Sequence, residues 1–526
     1  MPVRAEKQRY DVVLVAGGHN ALVSAAYLAR AGLSVLVLER LDHVGGAAVS
    51  QQLFPGQPAW LSRYSYLVSL LPDRIVEDLG LDLRLASRPA SSYTPYVRDG
   101  GHQGLLVERP EGAATRRSFA ERTGGEEEYA AWRAFHADAS ALAAVVAPTL
   151  TQPLPTEGEL SGLVESHVWH DLVATPLGTT LRERFADDLV RGVVATDALI
   201  GCFASVDDES LLPNKAFLHH VVGNGTGEWR VPVGGMGAVT SSLLRAATDA
   251  GAEILTGAGV SAIAAGDHGA DVTWHDGEGS QTVPCRFVLA GVAPWVLSIL
   301  LGSPEDPAAK PAGSQLKINM LVSRLPRLRS GEDPASAFAG TFHVGQSFGA
   351  LERAYVAAAA GRLPAPLPGE VYCHSLTDPS VLGALAGTGA HTLTYFGLMT
   401  PPSVFDGDQA AAKARAVSLA LAAIDEHLDE PLTSCLARDD DDRPCLEALT
   451  PQEVEERLAM PGGHIYHGDL DWPWAADRAC LDTAARQWGV QTDVPSVLLC
   501  GAGARRGGGV SGIPGHNAAQ AVLASL

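Results

Sequence analysis

The segment Tyr10-Asp-Val-Val-Leu-Val-Ala-Gly-Gly-His-Asn-Ala21 decides the fold of this chain. Its first six residues are mostly β-branched or aliphatic, which is typical of a strand buried on both faces of a parallel sheet. Apolar residues at helical spacing follow from Leu22 to Ala29, and Gly32 marks the end of that helix. Ser34–Leu38 predicts a second buried strand. A strand, turn, helix and strand within about 30 residues form a right-handed βαβ unit.

The turn between the first strand and the helix has the composition of a dinucleotide-binding loop. A pyrophosphate binds at a helix N-terminus, where free N–H groups and the positive dipole end face it, so only small side chains are tolerated. Glu39 lies 21 residues after Gly18, close to the distance at which an acid accepts hydrogen bonds from ribose hydroxyls. The acid also disfavours a 2′-phosphate. We therefore predict that Gly17, Gly18 and Glu39 contact a dinucleotide.

The glycine motif departs from the G-x-G-x-x-G template, because Ala16, Gly18 and Ala21 occupy its three places. Alanine at the third place is an accepted variant. Ala16 adds a methyl group where the chain turns sharply, which either loosens cofactor binding or shifts the turn by one residue to Gly17. The sequence leaves both alternatives open.

A second pair of glycines, Gly45 and Gly46, follows just beyond the second predicted strand. Glycines at this point let the backbone approach the cofactor closely. They indicate FAD rather than NAD as the bound nucleotide.

The carboxyl-terminal segment predicts a further contact with the same cofactor. Val497–Gly503 reads as a buried strand, and a glycine-rich loop from Arg505 to Gly512 leads into a helix from about Pro514 to Leu523. A loop of this kind and the N-terminus of the helix after it direct their N–H groups at the pyrimidine edge of an isoalloxazine. Negative charge gathers at that edge when flavin accepts a hydride.

The length of 526 residues predicts two intertwined domains. We expect a discontinuous nucleotide domain at 1–75, 226–300 and 485–526, and a substrate domain at 76–225 and 301–484. The formal net charge of −22 argues against nucleic acid as a partner and favours a small-molecule substrate. It also disfavours an anionic membrane surface, although a local apolar patch remains free to make peripheral contact with lipid.

The cysteines and histidines indicate neither disulfide chemistry nor a metal. The seven cysteines are scattered and form no C-x-x-C pair, which suits a reducing cytoplasm. His464, His467 and Asp469 imitate the spacing of metal ligands, but no further distant ligand accompanies them, so we predict no metal. No apolar run reaches the roughly 18 residues that a transmembrane helix needs.

Three blocks together carry a family resemblance: Gly17–Gly32, Val233–Gly237 and Cys500–Asn517. In order and spacing the chain resembles the phytoene desaturase-like flavoprotein superfamily, and within it the branch of pyridine nucleotide-disulfide oxidoreductase domain-containing protein 2. The resemblance implies noncovalent FAD and an α/β fold similar to amine oxidases and phytoene desaturases. In that fold a mixed α+β substrate domain is inserted into the Rossmann-type FAD-binding domain.

The motifs and the resemblance together predict which residues contact FAD. These residues are Ala16, Gly17, Gly18, His19, Asn20, Ala21, Glu39, Arg40, Gly45, Gly46, Ala47, Val260, Gly501, Gly503, Gly508, Gly509 and Val510. The family more usually has Thr-His-Pro where this chain has Ala504, Arg505 and Arg506. That departure places two cations close to the expected flavin ring, where they would select an anionic substrate group or stabilise a charged flavin.

The implied reaction is dehydrogenation or desaturation of a largely apolar small molecule by hydride transfer to flavin N5. Arg506, His467 and Tyr64 are the candidates for lining the catalytic site. Two alternatives stay open: an isomerase that uses reduced FAD without net oxidation, and a flavoprotein-derived binding or scaffold protein that has lost its chemistry.

Overall fold

The computed structural model describes residues 5–277 and 279–526 and contains two seven-stranded sheets. The strands are β1 (Tyr10–Val15), β2 (Val35–Leu38), β3 (Ser50–Gln51), β4 (Leu61–Ser62), β5 (Leu85–Ala86), β6 (Ala90–Arg98), β7 (Gly101–Glu108), β8 (Val231–Pro232), β9 (Glu253–Leu255), β10 (Gly259–Gly266), β11 (Gly269–His275), β12 (Ser280–Ala290), β13 (Leu316–Val322), β14 (Thr341–Val344), β15 (Gly369–Tyr372), β16 (His391–Gly397), β17 (Leu446–Leu449) and β18 (Val497–Leu499).

The helices lie between these strands and cover both sheets. They are α1 (His19–Arg30), α2 (Asp73–Leu79), α3 (Ala113–Thr123), α4 (Glu127–Val146), α5 (Glu157–Ser161), α6 (Ser166–Trp169), α7 (Leu177–Arg184), α8 (Asp188–Leu199), α9 (Leu212–Val221), α10 (Met236–Asp249), α11 (Pro294–Leu300), α12 (Pro334–Ala337), α13 (Phe348–Ala359), α14 (His374–Thr377), α15 (Gln409–Asp425), α16 (Pro451–Leu458), α17 (Ala484–Gln487) and α18 (Ile513–Ala524).

The first sheet has a parallel centre, in the order β18-β12-β1-β2-β9. Strands β10 and β11 extend it as an antiparallel meander on β12. The predicted βαβ unit is confirmed, because β1 pairs with β2 in parallel and α1 connects them. The predicted buried strand near the end of the chain is also present, as β18, and it pairs in parallel with the last residues of β12.

Burial on both faces explains why β1 is almost uniformly apolar. Val12 and Leu14 pack on one face against the core that contains α1, α10 and α18, whereas Val13 and Val15 pack on the other face against β11 and α11. These four side chains are at most 2% exposed. An alternating apolar and polar pattern would leave one of the two layers without a partner.

The second sheet has the order β17-β13-β16-β15-β14-β6-β7. All its neighbouring pairs are antiparallel except β14 and β6. Its strands come from two distant stretches of the chain, 90–108 and 316–449, and α4, α8 and α9 share their core with it. The fold is therefore a Rossmann-type domain with an inserted mixed substrate domain, as predicted, while the exact domain boundaries stay predictions.

Among residues 5–277 and 279–526, no helix combines the length and the apolar character that crossing a bilayer requires.

Candidate active site

A cavity of about 610 Å³ lies between the carboxyl edge of the first sheet and the second sheet. Cavities of this size are typical of small-molecule sites, and the carboxyl ends of parallel strands are where open α/β sheets bind their ligands. Of the residues predicted to contact FAD, the cavity is bordered by Ala16, Gly18, His19, Asn20, Ala21, Glu39, Arg40, Gly46, Ala47, Val260, Gly501, Gly509 and Val510. Gly17, Gly45, Gly503 and Gly508 do not border the cavity.

The chain turns at Ala16, which decides between the two alternatives that the sequence left open. Ala16 has a φ of +79°, in the left-handed region, and its N–H donates to the carbonyl oxygen of Leu38 at 2.9 Å. The turn is therefore not shifted to Gly17. A Cβ at Gly17 would lie 3.0 Å from Val44 and 3.1 Å from the Cβ of Glu39, so that glycine is needed for close packing behind the cavity.

Glu39 is held rigidly at the end of β2. It is 6% exposed, and its two carboxylate oxygens accept hydrogen bonds from the N–H groups of Gly17 at 2.7 Å and Leu41 at 2.8 Å. Since carboxylate oxygens have further lone pairs, Glu39 can still accept a ribose hydroxyl from the cavity that it borders.

Gly46 borders the cavity, and Gly45 next to it packs against the glycine turn and α10. Gly45 has a φ of +113° and donates its N–H to the carbonyl oxygen of Gly17 at 2.9 Å. A Cβ on Gly45 would approach Thr240 of α10 to 2.7 Å, so only glycine allows this close contact. The block that contains Val233–Gly237 therefore supports the cavity from behind by starting α10.

The two ends of the chain meet at this cavity. His19 donates from Nε2 to the carbonyl oxygen of Gly509 at 3.1 Å, and the Asn20 side chain accepts the N–H of Gly512 at 3.0 Å. Burial lowers the pKa of His19 to about 4, so its imidazole is neutral at physiological pH. The predicted convergence of the glycine turn and the final glycine loop is present.

The geometry around α1 fits the pyrophosphate of a dinucleotide. The helix starts after Gly18 without a side-chain cap and without an acidic residue in its first turn, which leaves N–H groups for a bound anion. A Cβ built on Gly18 would meet no protein atom within 4 Å, so this position opens on free cavity space. These residues can therefore hold FAD, with Glu39 at the ribose.

Arg505 and Arg506 do not border this cavity, which corrects the expectation that they lie beside the flavin. Arg506 is 5% exposed and donates to three carbonyl oxygens, of Thr149, Gln152 and Trp488, at 2.6–3.0 Å. Arg505 pairs with Asp471 at 2.9 Å. The three carbonyl oxygens accept from Nη1 and Nη2 only, and the buried Nε has no hydrogen-bond partner in the described part of the chain. These contacts join three separate stretches of the chain, so Arg506 is a structural residue.

His467 and Tyr64, the other two catalytic candidates, border the cavity. Burial lowers the pKa of His467 to about 4, and its Nδ1 has no hydrogen-bond partner in the described part of the chain. Burial raises the pKa of the Tyr64 hydroxyl. His464 approaches Asp469 to 3.6 Å, but residues 5–277 and 279–526 contain no group of three or more metal-binding side chains.

The sequence reasoning missed Lys317, which β13 places at the cavity. Lys317 is 3% exposed, and its Nζ lies 3.8 Å from the ring centroid of Tyr66. Nζ has no hydrogen-bond partner among the described residues, and burial holds the pKa of the amine well below its usual value. The available signal was one lysine in the apolar run Leu316–Val322.

Further charged side chains that the sequence reasoning missed also border the cavity. They are Arg88, Arg109, Asp197 and Glu370. His219 and His220 of α9 border the same space, and burial lowers the pKa of both imidazoles.

Comparisons with known proteins identify the family of this chain. The sequence model of the family described as "Flavin containing amine oxidoreductase" matches residues 22–356, more than half of the chain. An uncharacterized protein of Mycobacterium tuberculosis is 51% identical over 529 residues, covering 98% of this chain and 97% of its own. Pyridine nucleotide-disulfide oxidoreductase domain-containing protein 2 of Mus musculus is 30% identical over 571 residues, covering 99% of this chain and 94% of its own.

Among solved structures, a single-site mutant of putrescine oxidase has a TM-score of 0.56 at 18% identity, with 98% of this chain and 99% of that chain covered. This likeness agrees with the fold described above. The chain belongs to the family of flavin containing amine oxidoreductases, and it is an FAD-dependent oxidoreductase.

Proposed function

We propose that this oxidoreductase dehydrogenates or desaturates a small, largely apolar molecule by hydride transfer from a substrate carbon to flavin N5. The observation that carries the proposal is one continuous cavity, bordered at one side by Gly18 and Glu39 and at the other by Lys317 of the second sheet. When bound, FAD supplies the hydride acceptor. The residues of the chain position the substrate, exclude water and receive the proton.

Apolar side chains of the second domain supply most of the wall around the substrate. Trp132 of α4, Val193 and Val194 of α8 and Phe396 of β16 border the cavity. An apolar enclosure removes water from the reacting carbon and holds the C–H bond in one orientation. The two reactants are then already positioned, so the step is effectively unimolecular.

Lys317 is suited to receive the proton that leaves the substrate together with the hydride. Its amine is buried and lacks a hydrogen-bond partner in the described part of the chain, and burial lowers its pKa. A neutral amine at Nζ has a free lone pair, so it can accept a proton directly or through one water. Removal of a hydride and a proton from adjacent atoms gives the unsaturated product.

The test uses the FAD-loaded protein and an extract of small metabolites, followed by untargeted mass spectrometry. We expect at least one compound to be consumed while a product lighter by two hydrogens forms, and we expect the visible absorbance of the flavin to bleach anaerobically. Lys317→Met should slow this conversion by about 10²–10⁴-fold, the usual contribution of a general acid or base. The exposed lysine Lys7, changed to Met, is the matched control and should leave the rate unchanged.

Other outcomes would contradict the proposal in distinct ways. A product of unchanged mass that forms only with reduced FAD would identify an isomerase. An FAD-loaded protein that bleaches with no compound and converts none would indicate a binding or scaffold role. A small-molecule partner and a cytoplasmic location are part of the proposal, in line with the seven free cysteine thiols.

A further inference from the structure

Two arginines, one buried and one half-buried, border the cavity. The side-chain hydrogen bonds that they donate go to uncharged acceptors. Arg88 is 7% exposed and donates to the carbonyl oxygen of Trp229 and to the Thr341 hydroxyl, both at 3.2 Å. Arg109, the half-buried one, donates to the hydroxyl of Ser91 at 2.8 Å. In the described part of the chain neither guanidinium has a carboxylate oxygen within 4.0 Å.

The hairpin formed by β6 and β7 brings the two arginines together. Arg88 precedes β6 and Arg109 follows β7, and the N–H of Arg109 donates to the carbonyl oxygen of Pro89 at 2.9 Å. Two guanidinium groups at the same end of one hairpin repel each other, and burial lowers the pKa of Arg88. Such a pair is favourable when an anion lies between its members.

The acids nearby do not neutralise this pair. Glu370 accepts a hydrogen bond from the Tyr372 hydroxyl at 2.6 Å, and His343 approaches it to 3.6 Å. Burial raises the pKa of Asp197 to about 7, so this carboxyl is only partly ionised at neutral pH. The two guanidiniums therefore lack a carboxylate partner, and the raised pKa of Asp197 reduces the negative charge beside them.

Two further acids border the cavity but are engaged elsewhere. Glu108 accepts the N–H of Thr115 at 2.9 Å, at the start of α3. Glu111 is exposed and accepts hydrogen bonds from Tyr129 and Trp132 of α4 at 3.0 and 2.9 Å. Glu108 is bonded at the start of α3, and solvent screens the charge of Glu111. Neither acid therefore neutralises the arginine pair in place of a bound anion.

We propose that Arg88 and Arg109 bind the carboxylate of the substrate, so that the substrate class is an apolar acid. This inference rests on the proposed function, because the same cavity holds the reacting carbon. The planar fork of a guanidinium matches a carboxylate in two parallel hydrogen bonds. A monoanion is repelled less by the acidic side chains Glu370 and Asp197, which border the same cavity, than a phosphate dianion would be. The apolar wall at Trp132, Val193 and Val194 accommodates the rest of the molecule.

The test is a binding measurement on the FAD-loaded protein by calorimetry and by perturbation of the flavin absorbance. The probes are octanoate, its uncharged amide octanamide, and inorganic phosphate. Octanoate should bind at least tenfold more tightly than octanamide, and inorganic phosphate should bind more weakly than octanoate. Arg109→Gln should weaken octanoate about tenfold, Arg109→Lys should weaken it less, and neither should change octanamide.

Arg245→Gln is the matched control, because it removes the same charge from the exposed surface of α10 and should change no affinity. Equal affinity for octanoate and octanamide, tighter binding of phosphate, or full octanoate affinity in Arg109→Gln would each overturn the carboxylate assignment. The comparison of octanoate with octanamide needs only the unmodified protein. It therefore tests the carboxylate assignment even if a variant fails to fold. A protein that binds no FAD would instead overturn the proposed function.

Discussion

Replacement of Ala16 by glycine tests the strained turn at the cofactor cavity. Ala16 has a φ of +79°, a conformation that costs a residue with a Cβ about 1–2 kcal/mol. Glycine adopts it freely but loses about 0.5–1 kcal/mol more backbone entropy on folding than alanine does. The difference predicts that Ala16→Gly stabilises the protein by about 0.5–1 kcal/mol.

Ala21→Gly is the matched comparison, because Ala21 occupies the third place of the same motif. Ala21 lies in the first turn of α1 and is 1% exposed. Glycine there loses about 1 kcal/mol of helix propensity and about 0.8 kcal/mol from one buried methyl group. We therefore expect a destabilisation of about 2 kcal/mol, opposite in sign to the effect at Ala16.

The assay is thermal unfolding of the FAD-loaded variants, followed by circular dichroism and by the fluorescence of released flavin. The midpoint should rise by about 1 °C in Ala16→Gly and fall by a few degrees in Ala21→Gly, given the usual shift per kcal/mol in large domains. The motif template alone predicts a gain from both changes, since each restores a glycine. A fall in Ala16→Gly, or changes of the same sign in both variants, would refute the argument from backbone strain.

Three further predictions concern buried charged groups. Lys317→Met should raise the unfolding midpoint at pH 7, although it slows turnover. The reason is that it removes a buried amine that has no hydrogen-bond partner in the described part of the chain. A lower midpoint would contradict this. The pKa of Asp197 in the folded protein, about 7, exceeds its ordinary value of 3.8, so the free energy of unfolding falls as the pH rises between these values. The fall is worth at most about 4 kcal/mol. Asp197→Asn should remove it, which thermal melts from pH 4 to 8 would show. Arg506→Gln should lower the unfolding midpoint by several degrees and leave the flavin spectrum unchanged. A shifted spectrum would indicate that Arg506 lies beside the flavin after all.

The nucleotide half of the molecule was predictable from the sequence because its signals are local. β1 and β2 are short apolar runs that are buried on both faces, and α1 follows at once with a helical stripe. The contact between His19 and Gly509 was predictable for a different reason. Both ends carry glycines at points where a strand runs into a helix, a pattern with few structural alternatives.

The substrate half was not predictable, because its side chains come from separate elements. Arg88, Asp197, Lys317 and Glu370 lie far apart in the chain, and periodicity does not show which face of a strand or helix meets a cavity. Arg506 failed as a prediction for a related reason. Its position in the glycine loop was correct, but the sequence does not show that its guanidinium turns away to the carbonyl groups of other loops, such as Thr149.

A crystal structure of the FAD-loaded protein tests most directly whether the two ends of the chain hold one cofactor. We predict electron density for FAD in the cavity, with the ribose at the carboxylate of Glu39, the pyrophosphate at Gly18 and the flavin ring against Gly509 and Val510. Density for FAD elsewhere, or a protein that crystallises without FAD after reconstitution, would contradict it.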